Sequence, residues 1–141
     1  MRKAIIVIPF ASLLLCGTVS ASSEAREARW AKEDARLEKA LAGKTPGQPV
    51  SCIRLRDAYG TESFDNGKNT ILFKVSRKLV YRTDTNGSCR RVGSGGDALI
   101  TRGFNGDQLC RGDIAQSASL TTHGFPTGSC AMGDFIPYRG S

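Results

Sequence analysis

The pattern of apolar and polar positions along the chain changes twice. Ala4 to Cys16 is an almost unbroken apolar run behind Arg2 and Lys3, and small residues follow at Val19-Ser20-Ala21. A basic start, a short apolar run and a small-residue exit predict a secretory signal over residues 1–21. A membrane-spanning helix needs about 20 apolar residues, more than this run supplies. Residues 22–44 are dominated by helix formers, with Trp30, Leu37 and Leu41 on one narrow stripe. Ser22 or Ser23 can cap the start, and Gly43 can take the left-handed stop. The segment carries 6 basic and 5 acidic groups and has neither a broad apolar face nor a basic one. It therefore reads as a solvated helix pinned by Trp30 and Leu37 rather than a membrane-surface helix.

Residues 45–49, rich in proline and glycine, read as a linker. From residue 50 to 141 the pattern is that of strands and turns. Ile53 and Leu55 alternate with Arg54 and Arg56. Asp65-Asn66-Gly67-Lys68 predicts a two-residue hairpin turn with opposite charges across it. In the next hairpin Ile71, Phe73 and Val75 share one face, as do Leu79, Tyr81 and Thr83. A three-residue loop at Ser76-Arg77-Lys78 pairs Val75 with Leu79 and Phe73 with Tyr81. A two-residue loop would bury Lys78 and Arg82, so the longer one is expected. Asn86-Gly87 and Asn105-Gly106 predict further turns. Ala98 to Arg102, Leu109 to Ala118 and Phe135 to Tyr138 predict further strands. The expected fold is mainly β, a small antiparallel sandwich or partly open barrel with an N-terminal α-helix and two disulfides.

Composition narrows this further. A chain of 141 residues has room for one small domain, not for a doubly wound enzyme with a separate substrate domain. Its 40% hydrophobic content excludes wholesale disorder. Cleavage after Ala21 would remove Cys16 and leave Cys52, Cys89, Cys110 and Cys130. An even count in a small exported chain implies two disulfides. No C-x-x-C pair is present, which argues against a zinc knuckle or a thioredoxin-like centre. Three pairings are open; the expected one joins the first and last strands through Cys52–Cys130, with Cys89–Cys110 nested inside. The location expected is the periplasm or outside the cell. Lipid anchoring at Cys16 is the alternative, disfavoured because Leu15 is bulky where such signals carry a small residue.

Candidate chemistry is sparse. His123 is the lone histidine and sits in a loop-like stretch, Thr122-His123-Gly124-Phe125-Pro126. Nucleophile elbows and H-E-x-x-H are absent from the sequence, and nothing selects a pair from Asp57, Asp65, Asp84, Asp97, Asp107, Asp113 and Asp134. No catalytic residue, metal or cofactor is assigned. Gly93-Ser94-Gly95-Gly96 lacks the Lys-Ser/Thr of a phosphate loop and reads as a turn. Arg111-Gly112-Asp113, directly after Cys110, reads as a structural corner. Net charge is +7, and Arg77, Lys78, Arg82, Arg90 and Arg91 crowd one 15-residue window. These five form a candidate patch for an anionic envelope component. They are not interleaved with stacking aromatics, which disfavours nucleic acid.

The ordered landmarks Cys52-Ile53-Arg54-Leu55-Arg56-Asp57, Cys89, Leu109-Cys110-Arg111-Gly112-Asp113 and Cys130-Ala131-Met132-Gly133-Asp134-Phe135-Ile136-Pro137-Tyr138 carry a resemblance. Over roughly residues 46–140 the chain resembles a family of small exported proteobacterial proteins of unknown function with four ordered cysteines. The resemblance implies an envelope location and no known active residues. The function expected is a non-enzymatic binding or structural module that takes an envelope protein or an anionic envelope component. The alternatives are a small periplasmic inhibitor presenting its 120–130 loop, and a small hydrolase using carboxylates or His123.

Overall fold

The computed structural model describes residues 19–93, 95–101 and 106–141, without the side chains of 19–21. The expected signal therefore lies mostly outside the described residues, as does Cys16. Among the described residues one α-helix, α1 (Val19–Leu41), precedes ten strands. These are β1 (Lys44–Pro46), β2 (Cys52–Arg54), β3 (Gly60–Phe64), β4 (Thr70–Lys74), β5 (Leu79–Ser88), β6 (Asp97–Thr101), β7 (Gln108–Cys110), β8 (Ile114–Ser119), β9 (Pro126–Met132) and β10 (Ile136–Gly140). The fold is mainly antiparallel β, an open sheet that does not close into a barrel.

β5 organises the eight-stranded sheet. Its first half pairs with β4 on one edge and β10 on the other, and its second half continues onto β9. Beyond these, β3 extends the sheet past β4, β1 past β10, and β8 and β6 past β9. The gap between β3 and β6 is spanned by the Arg91–Gly93 segment. There Ser63 N–H donates to the Val92 carbonyl (3.1 Å), and Gly93 N–H donates to the Asp97 carbonyl (3.1 Å). Gly93 has a φ of +79°, and a Cβ on it would run into the Thr61 carbonyl, so glycine is required at this crossing.

Both faces of β3–β5 are covered. Ile71 and Phe73 point into the main core with Ile53, Leu109, Val92, Ala115, Met132 and Phe135, where Phe73 and Phe135 meet edge to face (5.8 Å). The two-stranded β2–β7 sheet contributes Ile53 and Leu109 to that core. On the other face Phe64, Leu72 and Val80 pack against Leu37 of α1, with Ala40 and Leu41 beside them. Trp30 lies against Gly67. α1 gives way to Gly43, whose φ is +72°, the left-handed stop expected there.

The β4–β5 hairpin has the register argued from its side chains: Phe73 opposes Tyr81, and Val75 N–H donates to the Leu79 carbonyl (3.0 Å). Other expectations need correction. The cysteines pair as Cys52–Cys110 and Cys89–Cys130, interleaved rather than nested. Strand pairing decides this: Cys52 lies directly opposite Cys110 in β2–β7, and Cys89 follows the end of β5 beside Cys130 on β9. The linker segment begins as β1, an edge strand, where the missing N–H of Pro46 is tolerated. The turn that begins at Asp65 has five residues, because Phe64 opposes Thr70. Asn66 is buried and uses its side chain inward, donating to Asp34 (2.8 Å) and accepting from the Thr70 N–H (3.3 Å). Asn86-Gly87 lies within β5, not in a turn; Gly87 has a φ of +92° and sits tightly on Ser129. The long strand expected over Leu109 to Ala118 is broken by the corner at Arg111-Gly112-Asp113. Asp113 accepts from the Cys110 N–H (2.7 Å) and Gly112 has a φ of +88°.

Candidate functional site

β5 sorts the five basic residues assigned from the sequence. Arg77 and Lys78 are exposed at the β4–β5 tip, and Arg82 lies half-buried on β5. Arg90 and Arg91 sit past the other end of β5, a strand of 10 residues that spans roughly 30 Å at about 3.3 Å per residue. Arg82 is committed locally: its guanidinium donates to both Asp84 oxygens (3.2 and 3.1 Å). Burial lowers its pKa, but Asp84 and the Tyr138 hydroxyl outweigh this and raise it.

Arg90 and Arg91 instead border a cleft of about 470 Å³ between α1, β3 and the segment leading into β6. Its described lining includes Arg29, Glu33 and Arg36 from α1, Ser63 and Asp65 from β3 and its turn, Arg90, Arg91, Gly95 and Asp97, and Thr127 from β9. Asp65 is shared between Arg29 (3.7 Å) and Arg90 (3.4 Å). Arg36 is more tightly held, by Glu33 (2.6 Å) and Glu62 (2.8 Å). The Glu33 hydrogen bond raises the Arg36 pKa against the lowering effect of burial, with Glu62 adding to the rise. Glu62 also meets Lys74 (2.7 Å). Burial alone would raise the Glu62 pKa, but its hydrogen bonds and charge contacts with Lys74 and Arg36 hold it below the usual carboxylate range.

Asp97 is the buried member of this lining. It is 3% exposed, and its Oδ2 accepts from the Thr127 hydroxyl (2.6 Å), which also contacts Ser117 Oγ (2.9 Å). Among the described residues Asp97 Oδ1 has no hydrogen-bond partner. Arg91 Nε approaches it at 3.7 Å, while the same guanidinium donates to the Gly95 carbonyl (3.2 and 3.0 Å). A Cβ at Gly95 would run into Arg91 itself, so this loop closes only with glycine there.

His123 is exposed on the β8–β9 turn with a φ of +53°, flanked by Leu120 (71% exposed) and Phe125 (74% exposed). Among the described residues no group of three His, Cys, Asp or Glu is placed to hold a metal ion, and no helix is long and apolar enough to cross a membrane. Two disulfides point to a location outside the cytoplasm. The sequence supplied Arg90 and Arg91 but missed Arg29, Arg36, Ser63 and Thr127. Helix and loop residues some 60 positions apart meet only through the docking of α1, which leaves no linear signal. No protein-family model, curated protein or solved structure matches the chain.

Proposed function

We propose that the chain is an exported, non-enzymatic binding module of the cell envelope that holds an anionic group in the cleft between α1 and the β3–β6 gap. The observation that carries this reading is the convergence of Arg29, Arg90 and Arg91, from distant parts of the sequence, on one cleft wide enough for a small ligand group. Guanidinium groups offer paired N–H donors that suit carboxylate and phosphate oxygens. The shared contacts to Asp65, at 3.4 and 3.7 Å, are long and exposed, so an incoming anion displaces little. Export is supported by the apolar run behind Arg2 and Lys3, and by crosslinks that a reducing cytosol would not maintain.

Charge reversal tests the reading. With heparin as the anionic probe, Arg90→Glu/Arg91→Glu is expected to weaken binding at least tenfold and to flatten its salt dependence. Arg77→Glu/Lys78→Glu, at the far end of β5, is expected to change affinity less than threefold. Equal losses from both pairs, or no loss from the first, would overturn the assignment of the cleft. A second reading, a protein-docking loop of the inhibitor kind, is favoured by the exposure of Leu120 and Phe125. It places no demand on the cleft, so reversal at Arg90 and Arg91 leaves it intact.

A further inference from the structure

We infer that Asp97 makes the cleft selective for an anion that also bears a hydroxyl close to its charged group, the chemistry shared by sugar acids and sugar phosphates. The inference rests on the anion-binding reading above and adds the second half of the ligand. A buried carboxylate oxygen without a donor is costly, and native folds fill such positions. Asp97 lines the cleft with its side chain fully buried; Oδ2 is satisfied by Thr127, whereas Oδ1 has no hydrogen-bond donor among the described residues. At 3.7 Å the Arg91 contact is too long for a hydrogen bond. Arg91 is itself 66% exposed along its side chain, so it can shift and open the way to Oδ1.

The short Arg91–Asp97 separation sets the ligand chemistry. A bare anion held by Arg91 brings its negative oxygens up against Asp97 and is repelled. A ligand with a hydroxyl one or two carbons from its carboxylate or phosphate avoids this, because the hydroxyl donates to Oδ1 while the charged oxygen meets the guanidinium. A zwitterionic amino acid would also supply a donor. However, the described lining holds Arg29, Arg36, Arg90 and Arg91 against Glu33, Asp65 and Asp97, an excess of positive charge that favours a ligand with net negative charge.

Titration of the full chain with glucuronate, glucose 6-phosphate, inorganic phosphate and glycine tests this. Glucuronate or glucose 6-phosphate is expected to bind at least tenfold more tightly than inorganic phosphate, and whichever is tighter identifies the charged group. Asp97→Asn, of the same shape, is expected to erase that preference without weakening phosphate. A comparison that needs no variant sets glucuronate against cyclohexanecarboxylate, which lacks the hydroxyls; a tenfold preference for glucuronate is expected. Equal affinity for these two, a preference that survives Asp97→Asn, or tightest binding of glycine would each overturn the inference. Phosphate binding that depends on Arg91 without any hydroxyl preference would leave the anion cleft standing and remove Asp97 from recognition. No binding by any probe would remove both.

Discussion

The two faces of β3–β5 are held by different physics. On one, Ile71 and Phe73 enter an apolar core that also contains the Cys89–Cys130 crosslink, with both cysteines 2% exposed. On the other, a small apolar cluster around Leu37 is surrounded by charge: Arg36 with Glu33 and Glu62, Glu62 with Lys74, and Asp34 with Asn66. Burying apolar surface contributes about 25 cal/mol per Å² and has no preferred direction, whereas partly exposed ion pairs contribute about 0–1 kcal/mol and exchange partners readily. The crosslinked face therefore fixes the fold, and the charged face forms an adjustable wall. The cleft opens along that second wall, where three of its lining residues belong to α1.

The largest effect that distinguishes the faces should come from the crosslinks. In the chain-entropy account, bonds with sequence separations of 58 and 41 are worth about 4 kcal/mol each, and their interleaved loops make the two non-additive. Cys52 is exposed, so Cys52→Ala/Cys110→Ala removes chain restraint and little packing. Cys89→Ala/Cys130→Ala also leaves a void in the core and is expected to cost about 1 kcal/mol more. Denaturant unfolding of both variants without reductant, so that each keeps its remaining disulfide, checks this order. A reversed order would mean that the main core does not depend on its buried bond.

A smaller effect is expected on the charged face. Lys74 and Arg36 hold the Glu62 pKa below its ordinary value, so the carboxylate stabilises the folded state once pH exceeds the unfolded-state pKa. That contribution is lost as pH falls through the lowered folded-state pKa. Glu62→Gln is expected to cost about 1 kcal/mol or less near neutrality, and its stability should converge with that of the unaltered chain in acid. A stability difference that persists at low pH would show that packing, rather than charge, carries the role of Glu62.

What could be read from the sequence follows the same division. Alternation of Ile71, Phe73 and Val75 against Leu79, Tyr81 and Thr83 fixed one hairpin register, because a one-residue slip would have buried charge. Trp30 and Leu37 were legible as the helix residues that dock, and the break at Arg111-Gly112-Asp113 as a corner. Turn chemistry was less reliable where a side chain had a tertiary use. Asn66 serves Asp34 and Thr70, and Gly87 relieves crowding against Ser129 inside a strand. Disulfide pairing followed from strand neighbours that no spacing encodes. The cleft was half visible: Arg90 and Arg91 stood out as charge, but Asp97 was one of seven comparable aspartates until folding buried it beside Arg91.

Mapping backbone amide shifts during titration with glucuronate separates binding at the α1 side of the sheet from binding at the opposite end of β5. The amides of Arg29, Ser63, Arg90, Arg91 and Asp97 are expected to move together and saturate at one concentration, while Arg77, Lys78 and the Leu120–Phe125 turn stay still. Saturating shifts at Arg77 and Lys78 with the cleft amides unmoved would contradict binding at the α1 side.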